Sequence, residues 1–201
     1  MLRASEKWYS DYCERTKKKG QLTKGKKSVI YDVAISWGKP NNKARSPHAV
    51  ALERLSKKPE LLKGNHEHYS QVRFFHHCEV NAPDLYKRLH STPNGGLRHK
   101  KTGEHLRAEG QRKGYPDVSL DLAKGCYHGM RLEFKHGANK PSEDQKQWLN
   151  MLSEDGFYCA VVYGEHEAIE TVTQYWCLES GESLPVHKND HLWKGGRYEI
   201  Q

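Results

Sequence analysis

Two short stretches hold residue types that could do chemistry together: Gly114-Tyr115-Pro116-Asp117 and Glu133-Phe134-Lys135. Around both, the sequence alternates. Val118, Leu120 and Leu122 share one face of an extended segment, with Asp117, Ser119 and Asp121 opposite. Leu132 and Phe134 are set against Arg131, Glu133 and Lys135 in the same way. If 116–122 and 130–136 pair as a hairpin across KGCYH, the centre of symmetry is Gly125 and Asp117 lies opposite Glu133. Two carboxylates side by side on a sheet face repel each other unless a cation sits between them, and hard oxygen ligands suit Mg2+. Lys135 shares the face of Glu133, where it can orient an attacking water and steady a phosphate. Metal, lysine and basic surroundings together point to phosphodiester hydrolysis.

These strands need a scaffold, and the chain supplies one. Residues 5–19 read as a helix ending at Gly20, followed by the basic loop KKKGQLTKGKK. Val29, Tyr31, Val33, Ile35 and Trp37 then alternate as a half-buried strand. HAVALERLSKK is a helix stopped by Pro59, Asn65 caps a helix to about Cys78, and Pro83 opens another to about His90. TPNGGLRHKKTG is a basic loop. Ser142 and Gln145 form an S-x-x-Q capping box for a helix carrying Trp148, Leu149 and Leu152 to a stop at Gly156. FYCAVVYG is a buried strand, and EHEAIETVTQYW places Ala168, Ile169, Val172, Tyr175 and Trp176 at helical spacing. From 65 to 177 the order is helix, helix, strand, strand, helix, strand, helix, which is an α/β domain with a central sheet. Residues 179–201 form a tail that packs across the surface or frays.

GYPD…LEFK resembles the PD-(D/E)XK nuclease signature. The ordered blocks TPNGGLRHK, LRAEGQRKGYPD, YHGMRLEFK and PSEDQKQWL are similar, in content and order, to the virus-type replication-repair nuclease (VRR-NUC) family over about residues 65–176. The resemblance implies a restriction-endonuclease-like α/β core, a central mixed sheet flanked by helices. It divides the chain into a basic N-terminal extension (1–62), a nuclease domain (63–178) and a C-terminal tail (179–201). The implied activity is Mg2+-dependent DNA endonuclease, with Mn2+ able to substitute. It would be structure-selective or nicking and serve replication, recombination or repair on duplex, branched or single-strand-containing DNA. Asp117, Glu133 and the backbone carbonyl of Phe134 would hold the metal.

A glutamate on the family's first helix serves the metal through water; Glu67 matches it, in the run ExxxQ with Gln71. Phe74 and Cys78 make part of that helical stripe apolar, which turns Glu67 inward. An exposed first-turn glutamate favoured by the helix dipole would read the same way, and Glu79 is the alternative acid. Gln145 matches the glutamine that follows ExK, although the capping box alone also explains it. Compact relatives resemble junction-resolving dimers, so a homodimer is implied. The extra N-terminal residues and the tail depart from that compact pattern. A restriction-type nuclease on the same core, or a non-catalytic nucleic-acid-binding protein that keeps the fold, are the alternatives.

Charge separates along the chain. The 201 residues hold 33 Lys+Arg and 25 Asp+Glu, a net +8. Residues 1–60 contribute +9, 61–86 contribute −1, 87–113 contribute +6 and 114–201 contribute −6. Such segregation suits a phosphate-docking surface beside an acidic metal site. Asn94-Gly95-Gly96 permits positive φ and close approach of backbone amides to a phosphate. Arg98, Lys100, Lys101, Arg107, Arg112 and Lys113 can contact backbone phosphates, which positions DNA without reading its bases. No run of about 18 apolar residues exists, so no membrane helix is expected. The first residues lack the apolar region of a secretory signal. Five cysteines with no CxxC pair suit a reducing compartment, the cytoplasm of a bacterial or phage-infected cell or a eukaryotic nucleus. The 13 histidines have no cysteine partners at zinc-site spacing. The tryptophans read as core residues, with base stacking by Trp8 or Trp193 a secondary option.

Overall fold

In the computed structural model, residues 45–92 and 100–194 are described. The expected helix at 5–19, the strand at 29–37, Trp8, Asn94, Gly95, Gly96 and Arg98 lie outside them.

Four strands form one mixed sheet in the order β1 (Leu89–Ser91), β2 (Val118–Leu120), β3 (Met130–Lys135), β4 (Tyr158–Tyr163). The first three are antiparallel and β4 runs parallel to β3. The β2–β3 register pairs Val118 with Leu132, Ser119 with Arg131 and Leu120 with Met130. This is the pairing centred on Gly125, and one step further sets Asp117 opposite Glu133. The connection narrows through a Lys124–Tyr127 bridge. Gly125 sits there at φ +59°, where a Cβ would lie 2.2 Å from the Glu182 carbonyl oxygen, so only glycine fits.

Alternation then decides which helix each strand side meets. Met130, Leu132, Phe134, Tyr158, Ala160 and Val162 face α2 (His66–Asn81) and α6 (Gly164–Trp176), packing on Phe74, Cys78, Ala168, Val172 and Tyr175. Cys159 and Val161 face α5 (Glu143–Glu154) and pack with Leu149, Leu152 and Trp193. Arg131, Glu133 and Lys135 point to this second side. Phe74 is fully buried, with its ring centroid 5.7 Å from that of Phe134, so it fixes the strand that carries the acidic motif. Outside the sheet, α1 (Pro47–Lys57) is capped by Ser46, which accepts from the Ala49 amide at 3.2 Å. It docks on α2 through His48, stacked on Phe75 and 3.0 Å from the Tyr86 hydroxyl.

Three elements differ from the sequence expectation. The helix opened by Pro83 stops at Tyr86 (α3, Pro83–Tyr86), and Leu89–Ser91 is a strand because β2 offers it a ladder. Lys100–Ala108 forms α4, where the sequence suggested a loop as far as Gly103. Lys, Glu, Leu, Arg and Ala outweigh a single glycine in propensity. Trp193 is only 2% exposed, within the core beside α5, and is not available for base stacking. The preceding tail packs along β4, with the Asn189 side-chain amide donating to the Val161 carbonyl at 2.8 Å on the open sheet edge. Among the described residues Cys78, Cys126 and Cys159 are free thiols. Among the described residues no helix is long and apolar enough to cross a membrane.

Phe74→Ala removes the largest aromatic contact beneath Phe134. It is expected to lower unfolding free energy by about 3–5 kcal/mol, measured by chemical denaturation.

Candidate active site

Just before β2, the Asp117 carboxylate turns toward β3 and accepts a hydrogen bond from the Phe134 amide at 2.9 Å. Burial raises its pKa, and the Glu67 charge adds to that. The Phe134 hydrogen bond and the Lys135 charge oppose the rise without cancelling it. Glu133 is only 1% exposed. Burial first, and the Asp117 charge second, push its pKa up to about 8 in spite of Lys135. Lys135 donates to Glu133 Oε1 at 2.6 Å, and the Gln145 side-chain amide donates to the same oxygen. Glu133 Oε2 is buried with no hydrogen-bond partner.

Gln145 does two jobs at once. Its Oε1 accepts from the Ser142 amide at 2.9 Å while its own amide donates to Ser142 Oγ at 3.4 Å, completing the capping box. The side-chain nitrogen left over is the one that reaches Glu133. The helix start and the acidic motif are therefore joined through one side chain.

Glu67 arrives from the first turn of α2. Its Oε1 accepts from the His136 amide and from Asn139 Nδ2, each at 3.1 Å. It is half-buried and tied to the chain just past β3, so the exposed first-turn reading does not hold. Gln71, one turn further along α2, donates to Ser91 Oγ at 2.9 Å and reaches the Asp117 carbonyl at 3.5 Å. Glu79 pairs instead with His76 at 3.7 Å, about 18 Å along the helix from Glu67, and takes no part.

Asp117, Glu133, Lys135, Gln145 and Glu67 thus come together at one end of β3. Arg107, Arg112 and Lys113 are exposed on the surface outside this cluster, with Lys113 paired to Asp144 at 2.7 Å. Lys100 and Lys101 begin α4. Sequence reasoning missed Asn139, which holds Glu67, and Tyr163, whose hydroxyl donates to the Asn139 carbonyl at 2.7 Å. It also missed the parallel stack of His66 on His136, ring centroids 4.0 Å apart. The turn-prone run His136-Gly137-Ala138-Asn139 directly after ExK was the available signal.

A divalent cation fits this donor set. An unpaired buried carboxylate oxygen beside a second carboxylate is costly until a cation meets both. Among the described residues no three His, Cys, Asp or Glu side chains form a complete cage. Mg2+ does not require one, because it keeps several of its waters and binds through one or two carboxylates.

A solved structure described as a VRR_NUC domain protein is similar to this chain with a TM-score of 0.52 and 26% identity, covering 60% of this chain and 97% of that one. The chain shares that domain's fold. No family model and no curated protein matches the chain. A VRR-NUC domain implies a nuclease of the PD-(D/E)XK type. Within this fold, the carboxylate pair, the lysine and the glutamine occupy one connected hydrogen-bond cluster.

The raised Glu133 pKa makes stability pH-dependent. Below the ordinary value of 4.5 the carboxyl is protonated folded and unfolded alike. Between there and about 8 the unfolded chain ionises first, so the metal-free fold loses stability as pH rises. Relative to Glu133→Gln, wild type should lose up to about 1.4 kcal/mol per pH unit across this window in EDTA, and Mg2+ should restore much of the loss. Denaturation midpoints at several pH values measure it.

Ser142→Ala should cost about 1 kcal/mol as a lost helix cap. Gln145→Ala should cost more, and the gap should widen above about pH 8, where the ionised Glu133 also loses a donor. The same denaturation series separates the two.

Proposed function

We propose that the chain is a Mg2+-dependent DNA endonuclease, structure-selective or nicking, that serves replication, recombination or repair. The observation that carries this reading is Glu133, buried, with one oxygen unpartnered and Asp117 close enough to raise its pKa. Asp117, Glu133 and the Phe134 carbonyl would hold the cation, with Glu67 acting through water; Mn2+ would substitute. A divalent cation, when bound, supplies Lewis-acid stabilisation of the phosphoryl oxygens and a more acidic attacking water.

The remaining work falls to the protein. The Lys135 ammonium, held 2.6 Å from Glu133, orients the water for in-line attack and offsets charge that builds on the phosphoryl group. Gln145 keeps the Glu133 carboxylate from turning away. Asn139 and the His136 amide do the same for Glu67. Arg107, Arg112 and Lys113, with the basic residues at 94–101, hold the backbone phosphates. Attack by water leaves a 5′-phosphate and a 3′-hydroxyl.

Wild type should nick supercoiled plasmid in Mg2+, and EDTA or Asp117→Ala should abolish nicking. Cleavage that survives Asp117→Ala overturns the site. Labelled duplex, flap, splayed and four-way substrates then rank the preferred structure. Discrete cuts at one sequence on linear duplex would instead mark a restriction-type enzyme, and binding without cleavage in any divalent cation a non-catalytic one.

A further inference from the structure

On the α5 side of the sheet, which also carries Glu133 and Lys135, an open cavity of about 370 Å3 is lined by Arg112, Lys113, Gln147, Trp148 and Met151. Its wall is the segment that leads into Asp117, and its floor is the helix that carries Gln145. Trp148 follows Gln145 by one helical turn, a rise of about 4.5 Å. Both elements also lead to the carboxylate cluster, since Asp117 follows the first and Gln145 sits on the second.

The walls are held in place. Trp148 Nε1 donates to the Lys113 carbonyl at 3.0 Å, and Tyr115 meets the indole edge-on at a centroid distance of 5.0 Å. Gly114, at φ +85°, brings the segment so close to α5 that a Cβ would lie 2.7 Å from the Asp144 backbone. Lys113 pairs with Asp144 at 2.7 Å across the same junction. The indole is thus fixed in orientation before any ligand arrives.

The chemistry of the lining is mixed in a particular way. Met151 is 44% exposed beside the half-buried indole, an apolar pair on an otherwise polar helix face. Arg112 supplies positive charge at the rim, Lys113 beside it is paired to Asp144, and the Gln147 amide supplies a donor and an acceptor. A flat aromatic ligand with an attached anion satisfies all of these groups. A base inside a duplex does not, because both its faces are stacked and its edge is paired.

We propose that this cavity seats one unpaired nucleotide of the DNA strand beside the scissile phosphate. The base lies against Trp148 and Met151, and its phosphate lies on Arg112. The proposal rests on the nuclease reading and gives it a substrate class: DNA with single-stranded character at the cut, such as an overhang, flap or gap.

The test is equilibrium binding of the full chain in EDTA by fluorescence anisotropy. It compares a blunt duplex, the same duplex with a short single-stranded overhang, and that overhang with its bases removed as abasic residues. Wild type should prefer the normal overhang to the abasic one by about tenfold, the scale of one base–aromatic stack. Trp148→Leu should bind the normal and abasic overhangs alike, while Trp148→Phe keeps most of the preference. The exposed Met151→Ala and Arg112→Ala changes should each weaken overhang binding more than duplex binding, which covers the case of a misfolded Trp148 variant.

Equal wild-type binding of normal and abasic overhangs overturns the proposal, as does a Trp148→Leu variant that still senses the bases. A shift from dimer to monomer in Trp148→Leu, with base preference intact, would mark the cavity as an interface between copies and overturn it too. Mg2+-dependent nicking by wild type is read separately. Nicking without base preference removes the seat alone; base preference without nicking removes the nuclease reading and leaves the seat.

Discussion

Two carboxylates held close together in a site almost closed to water repel each other, and much of this fold exists to keep them there. Burial alone disfavours ionised Glu133, and Asp117 adds to the penalty until the side chain holds its proton to about pH 8. A flexible pair would separate. Here separation is blocked, because the antiparallel register of β2 on β3 sets the two residues opposite each other and the Phe134 amide holds Asp117 from below. Lys135 and Gln145 occupy one Glu133 oxygen and leave the other unpaired. The protein thus keeps a local electrostatic cost in place and leaves its relief to something positive.

The rest of the architecture reads as support for that arrangement. The α2 and α6 side of the sheet is a dry packing layer, with Phe74, Phe134 and Tyr175 fully buried. The α5 side carries the polar row of β3 and is only partly hydrophobic. Glu67 belongs to α2, so it must reach the end of β3 from the packing layer, and it does so by bonding the first residues past the strand. Both layers therefore converge on the point where β3 ends. The parallel β3–β4 pair helps, because its crossover through α5 returns the chain beside the acidic motif.

How much of this was legible in the sequence depended on whether the signal was local. Parity and a count about Gly125 were enough to place Asp117 opposite Glu133, because a hairpin register is a property of one contiguous segment. The capping box at Ser142 and Gln145 was readable for the same reason. The three-residue β1 was not, since Leu-His-Ser carries no strand pattern and owes its conformation to β2. Asn139 and Tyr163 were also out of reach: their value lies in contacts across 72 and 24 residues of chain. Glu67 was reachable only by a resemblance, as its helical stripe allowed an inward or an exposed position. Trp193 reads from the sequence as a core residue with base stacking as a secondary option, and its packing against Leu149 and Leu152 leaves only the core reading.

Gln145 ties a purely local event to a distant one. A helix N-terminus normally frays on its own, at a free energy far below that of global unfolding. In this chain, opening the first turn of α5 also strips a donor from a buried carboxylate. The amides at the start of α5 should therefore exchange with solvent at a rate set by the charge on Glu133. They become a built-in reporter, able to register occupancy of the site in a protein that has cut nothing.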